Sequence, residues 1–233
     1  MTELFVALDF DSSEKAVRVA SDLVSHVDGF KVGLELLLGP GPATIAAVRQ
    51  LGKPIFADAK LHDIPNTVGG AARQLGRLGA RYVSAHAAGG QAMMEAAVEG
   101  LGEGASGHPA GILAITVLTS IDDSTLRSTG VGGTPGEQVA RLSRAASASG
   151  CAGVVCAVKQ LGVVVQVAPE LLRVAPGIRQ PDSSKDDQMQ ASTAEEAVAR
   201  GADIIVVGRP ITRAADPKSA AAAFRETVLV ASA

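Results

Sequence analysis

The chain has 233 residues, 47% of them apolar, and a formal net charge of −3 with a pI near 5.8. That is ample material for one large core and supplies no basic field for nucleic acid; a single Tyr and no Trp leave no aromatic platform for stacking bases. No apolar run approaches the roughly 18 residues of a membrane span, and Met1-Thr2-Glu3-Leu4-Phe5 passes into a strand-like run without a basic leader, so a cytoplasmic protein is expected.

Strand and helix signals alternate along the whole chain. Leu4-Phe5-Val6-Ala7-Leu8 is a continuous apolar run ending at Asp9, and Ser12-Ser13-Glu14 opens a helix with Ala16, Val19, Ala20 and Leu23 on its apolar side. Phe30-Lys31-Val32-Gly33 precedes a helix after Pro42. Ile55-Phe56-Ala57-Asp58 precedes a helical segment from Val68 to about Leu78. Arg81 to His86 is the fourth strand, with a helix from Gln91 to Leu101. Gly111 to Val117 leads through a long polar loop into a helix from about Thr134 to Ala148. Gly153 to Cys156 is the sixth strand, and its helix contains Val163 to Val167. Leu172 to Ala175 and Asp203 to Val207 are the seventh and eighth, before a terminal helix from about Pro217 that takes in Ala220 to Ala223.

Near-continuous apolar strands alternating with helices indicate parallel strands buried on both faces. A closed (β/α)₈ TIM barrel fits best, as a single domain over residues 1–233. The length is close to the about 250 residues typical of that fold, and no linker divides the chain. The alternative is an open doubly wound sheet, but the first strand lacks a G-x-G-x-x-G turn.

The chemistry centres on Asp58-Ala59-Lys60-Leu61-His62-Asp63. Asp58 and Lys60 stand two apart, on one face of extended chain, and Asp63 lies beyond the turn, where it can fold back or reach a neighbour. On a surface this is a solvated charge cluster; inside, the groups keep their charges by pairing. In a barrel the C-terminal strand ends converge, so Asp9, Lys31, Asp58 and Lys60 from three adjacent strands meet at one mouth. Lys31, alone in an apolar strand-helix junction, is costly to bury without carboxylate partners. The loops after strands seven and eight are the usual phosphate site of this fold, and here they carry Gly177, Arg179, Gly208 and Arg209. Cys151 and Cys156, five apart, match neither a redox nor a zinc spacing and read as buried thiols. His26, His62, His86 and His108 are scattered, so no metal site is declared.

Five motifs, Asp58 to Thr67, Val117-Leu118-Thr119-Ser120, Pro176-Gly177-Ile178-Arg179, Lys185-Asp186-Asp187-Gln188 and Val207-Gly208-Arg209-Pro210, together resemble the orotidine 5'-monophosphate decarboxylase family in its shorter bacterial form. The resemblance implies conversion of orotidine 5'-monophosphate to uridine 5'-monophosphate and CO₂ in pyrimidine synthesis, by a homodimer, without metal or organic cofactor. It makes Lys60 the proton donor to C6, flanked by Asp58 and by Asp63 of the other subunit, with Lys31 completing the array. Asp9 and Lys31 would hold the ribose hydroxyls and Thr119 the pyrimidine. Ile64 and Thr67 would arrive from the partner, and Arg179, Gln188, Gly208 and Arg209 would hold the phosphate. Two rival readings are a Mg²⁺-dependent sugar-phosphate decarboxylase or synthase of the same barrel superfamily, and a catalytically silent barrel that binds nucleotide phosphate. Against the first stands Lys31, where those relatives resemble each other in carrying a metal-binding acid; Glu35 lies four residues further on.

Overall fold

A computed structural model describes residues 1–180 and 192–231. In chain order the elements are β1 (Glu3–Ala7), α1 (Ser13–Leu23), β2 (Gly29–Val32), α2 (Leu34–Leu38), α3 (Ala43–Arg49), β3 (Ile55–Leu61), α4 (Pro65–Arg77), β4 (Tyr82–His86), α5 (Gln91–Ala105), β5 (Gly111–Ile115), α6 (Asp123–Ser128), α7 (Pro135–Ala148), β6 (Gly153–Val155), α8 (Leu161–Val167), β7 (Leu172–Pro176), α9 (Ala194–Ala199), β8 (Ile204–Val207), α10 (Arg209–Thr212) and α11 (Pro217–Ala231). The strands pair in parallel in sequence order, and β8 returns to β1 with Phe5 opposite Val206. That pairing closes the barrel and removes the open-sheet alternative.

Both sides of each strand are buried, which is why the apolar runs show no polar alternation. Leu4, Val6, Phe30, Val32, Ile55, Ala57, Val83, Ile112, Ala114, Val154, Ala175 and Ile205 face the helices. The residues between them, Phe5, Ala7, Phe56, Tyr82, Leu113, Ile115, Val155, Val174, Ile204 and Val206, fill the barrel's interior as a separate core. The period of two then carries the inward face past this apolar plug. After Phe5 and Ala7 comes Asp9; after Phe56, Asp58; after Tyr82, Ser84; after Ile204 and Val206, Gly208. The mouth is built by letting inward positions turn polar where the plug ends.

Helix starts follow local side chains. Ser12 accepts from the Lys15 N–H at 3.1 Å, Asp122 from the Thr125 N–H at 2.8 Å, and Thr134 and Glu137 form a reciprocal capping box. α4 and α5 pack backbone against backbone: a Cβ added at Gly100 would fall 2.1 Å from the Gly69 carbonyl oxygen, and one at Gly104 equally close to that of Arg73.

Four details depart from the sequence reading. A short helix, α2, leaves β2 directly, and α6 occupies part of the polar loop after β5. α4 begins at Pro65 rather than Val68, because proline fits the first helical turn, where its missing N–H costs nothing. β3 runs on to Leu61, and its register against β4 shifts between Ala57 and Leu61.

Candidate active site

The cavity of about 570 Å³ at the C-terminal mouth has Ala7, Phe56, Ile115, Val155 and Val206 at its floor. Asp9, Lys31, Asp58, Lys60 and Thr119 line it together with Gly177 and Arg179 of the loop after β7 and Gly208 and Arg209 of the loop after β8. The charged group expected from three strands is therefore assembled. Lys60 Nζ donates to Asp58 Oδ2 at 2.6 Å; Lys31 Nζ lies 3.5 Å from the same oxygen and 3.3 Å from Asp9 Oδ1. Gly33 leaves the room this needs, since a Cβ there would fall 2.9 Å from Lys31 Nζ.

Asp58 is the only one of the four that is buried, at 7% exposure, and its electrostatics follow from its neighbours. Burial pushes its carboxyl up, but the Lys31 and Lys60 ammonium groups and hydrogen bonds from Lys60 and Ser84 outweigh that and hold it below the ordinary 3.8. It is an anion at every physiological pH, and it pairs with both lysines beside the cavity. Lys60 itself has φ of 48°. A non-glycine residue in that left-handed region costs about 1–3 kcal/mol unless surrounding structure compensates, and such residues cluster at functional sites. Asp58 and Lys60 are therefore brought together through a bulge rather than through a flat strand face.

The loops after β7 and β8 turn at their glycines. Gly177 has φ of 79°, which turns the chain after β7, and the Arg179 N–H donates to the Ser192 carbonyl at 2.9 Å. Gly208 caps the one-turn helix α10, with Arg209 at its first position. Arg213, at the end of that helix, also lines the cavity, as does Glu35 of α2.

With this geometry in place, comparison with known proteins is decisive. Residues 2–224 match the model of the orotidine 5'-phosphate decarboxylase / HUMPS family. The chain belongs to that family. An orotidine 5'-phosphate decarboxylase of Anaeromyxobacter sp. (strain K) is 46% identical over 219 residues, 94% of each chain. One from Dichelobacter nodosus is 45% identical over 226 residues, 97% of this chain and 98% of the relative. Among solved structures, the orotidine 5'-phosphate decarboxylase of Lactobacillus acidophilus superposes with a TM-score of 0.86 at 38% identity, covering 98% of this chain and 99% of that one. That of Pyrococcus horikoshii OT3 gives 0.78 at 26% identity, covering 97% and 99%. The family match takes in the whole barrel, so the charged group, Thr119 and Arg209 all lie inside it.

Asp63, Ile64 and Thr67 do not line the family cavity in their own chain. All three are exposed, and Asp63 Oδ1 accepts from the Ile64 N–H at 2.6 Å in the turn before α4. Gln188 and the rest of the polar segment after Gln180 lie outside the described residues. Sequence reasoning missed Ser84 and Arg213, and it weighed Glu35 only as a metal-binding acid out of register with Lys31, not as part of the cavity lining. Ser84 had a signal: it is the lone small polar residue at an inward position of an apolar strand. Cys151 and Cys156 are buried, and burial pushes both thiols up to about 12, away from the thiolate form. The His62 and His86 rings lie 5.3 Å apart at the rim, and burial, then His62 and Lys60, push the His86 imidazole below its ordinary 6.5.

Proposed function

We propose that the chain decarboxylates orotidine 5'-monophosphate to uridine 5'-monophosphate and CO₂, a step of pyrimidine synthesis, using side chains alone. The observation that carries this is the Lys60 ammonium, 2.6 Å from a buried carboxylate that Lys31 also holds, at the edge of a cavity also lined by Arg179, Arg209 and Arg213. Breaking the bond from C6 to the carboxylate leaves an electron pair on C6 that the ring delocalises poorly. A fixed ammonium beside that carbon stabilises the charge at no reorganisation cost, then passes its proton to C6 and completes the product. Asp58 holds the Lys60 ammonium in place by direct contact and disfavours the bound carboxylate relative to neutral CO₂.

Asp9 and Lys31 hold the ribose hydroxyls, Thr119 the pyrimidine, and Arg179, Gly208 and Arg209 the phosphate; Gln188 joins them from the segment outside the described residues. Asp63, Ile64 and Thr67 serve the partner's site in a homodimer. Their exposure supports this, as does the group of exposed apolar residues after strand ends: Ile64 at 66%, Leu38 at 81% and Leu34 at 43%. A cytoplasmic location is consistent with the helices, none of which, among the described residues, is long and apolar enough to cross a membrane.

The Mg²⁺-dependent sugar-phosphate chemistry is disfavoured by the donor set, because Asp58, the carboxylate deepest in the cavity, is already taken by two ammonium groups. The test is the loss of orotidine 5'-monophosphate absorbance with purified protein in excess chelator. Turnover at an undiminished rate is expected. No turnover, or turnover only on adding Mg²⁺, overturns the proposal.

A further inference from the structure

β3 and β4 fall out of step where the charged group sits. Ala57 pairs with Val83 and Leu61 with Ala85, so β3 spends four residues on a span that β4 crosses in two. The surplus is the bulge containing Asp58, Ala59 and Lys60, and within it Lys60 takes the left-handed φ of 48°. A bulge takes backbone N–H groups off the ladder, and a buried N–H needs a partner. Here the partner is a side chain. The Lys60 N–H donates to Ser84 Oγ at 2.9 Å, and Ser84 Oγ–H donates to Asp58 Oδ1 at 2.8 Å.

Only one proton arrangement satisfies both contacts. An amide N–H can only donate and an ionised carboxylate only accept, so the single hydroxyl proton points at Asp58 and a lone pair faces Lys60. The other Asp58 oxygen binds the Lys60 ammonium at 2.6 Å, which closes a ring through three residues: hydroxyl to carboxylate, carboxylate to ammonium, and Lys60 backbone to hydroxyl. Ser84 is 0% exposed, so no solvent stands ready to replace the hydroxyl. Both ends of the Lys60 side chain, its backbone and its Nζ, are thus referred to one buried oxygen on the neighbouring strand.

We infer that Ser84 is a positioning residue for Lys60: its hydroxyl holds the bulge in the left-handed form and thereby sets where the ammonium stands against Asp58 and the cavity. The kinetic consequence rests on the decarboxylase reading above; the geometric consequence does not. Ser84→Ala leaves the Lys60 N–H without an acceptor and takes a donor from Asp58, while touching nothing that would hold a nucleotide.

The experiment compares Ser84→Ala and the near-isosteric Ser84→Cys, whose thiol donates and accepts weakly, with Ser143→Ala. Ser143 is a second buried serine, and its hydroxyl has no partner among the described residues. Single-turnover decarboxylation with enzyme in excess should slow about 10- to 100-fold in Ser84→Ala and by less in Ser84→Cys, as loss of a hydrogen bond to a charged group implies. Affinity for uridine 5'-monophosphate should change less than about threefold, and Ser143→Ala should match wild type. A folded Ser84→Ala protein with the wild-type rate overturns the inference, and so do a Ser84→Cys protein slowed as much as Ser84→Ala and a loss of nucleotide affinity as large as the loss of rate. If the wild type does not decarboxylate at all, the proposed function falls and crystal structures of the two variants decide about Ser84. A Lys60 backbone released from the left-handed region supports the role, and an unchanged bulge with Nζ still on Asp58 refutes it.

Discussion

At the scale of residues, the site is a balance of charge around Asp58, and the substitution that breaks function most cleanly removes a charge without stranding another. Lys60→Ala leaves Asp58 with Lys31 and the Ser84 hydroxyl, so the protein should fold and still bind uridine 5'-monophosphate. Decarboxylation should fall by at least about 100-fold, as expected for loss of a general acid; a variant that keeps more than about a hundredth of the rate assigns the proton to another group. A second prediction concerns pH and His86. Its folded pKa lies below the unfolded 6.5, so between the two values the unfolded chain binds more protons than the folded one. The stability it contributes is complete above 6.5 and is lost as pH falls through the folded value, whereas the contribution from Asp58 is lost only below 3.8. The urea midpoint should therefore drop between pH 7.5 and 5.5, and drop less in His86→Gln; identical drops in both proteins would show that His86 is not the titrating group. The four charges were legible because each follows closely on an apolar strand run. Ser84 was marked only as a small polar residue in an apolar strand; its job was not legible, because it exists only once β4 is set against the bulge.

At the scale of elements, strands with both faces buried wrote themselves into the sequence, and register did not. All eight strands stand where continuous apolar runs predicted them. The shift between β3 and β4 is a property of two segments together, and nothing in Ala57 to Leu61 alone specifies it. α2 was missed because its five residues are too few to show a helical period, and α6 because a cap and one turn resemble polar loop. The loops after β7 and β8 were readable because proline, glycine and arginine stand at both strand ends. The phosphate grip proposed for them would act far from the bond that breaks, yet binding energy gathered there can be used to hold the reacting ring against Lys60. Arg209→Ala should therefore reduce kcat/KM for orotidine 5'-monophosphate by about 10- to 100-fold, the 1.5–3 kcal/mol of a hydrogen bond to a charged group. The phosphate-free nucleoside orotidine should be affected less than twofold. Equal proportional losses on both substrates would make Arg209 a support of the barrel instead.

At the scale of the whole molecule, the barrel supplies a cavity with one side of its charge array in place and the acid at Asp63 turned elsewhere. The turn from Leu61 to α4 carries Asp63, Ile64 and Thr67 outward, and α4 is pinned against α5 by glycines that admit no side chain, so this edge is presented rigidly. A rigid, exposed edge with Ile64 at its tip suits insertion into a second copy, where Asp63 would stand beside the other chain's Lys60. The arrangement makes a prediction that no single chain can imitate. Inactive Lys60→Ala and Asp63→Ala subunits, mixed and allowed to exchange, form heterodimers in which one site holds both defects and the other holds neither. Half of the sites in each heterodimer should then be wild type, and since random exchange puts half of all dimers in that class, activity should rise to about a quarter of the wild-type value per site. If Asp63 acts within its own chain, each site in the mixture carries one defect, and subunits shown to exchange by mass spectrometry will remain as inactive as they began.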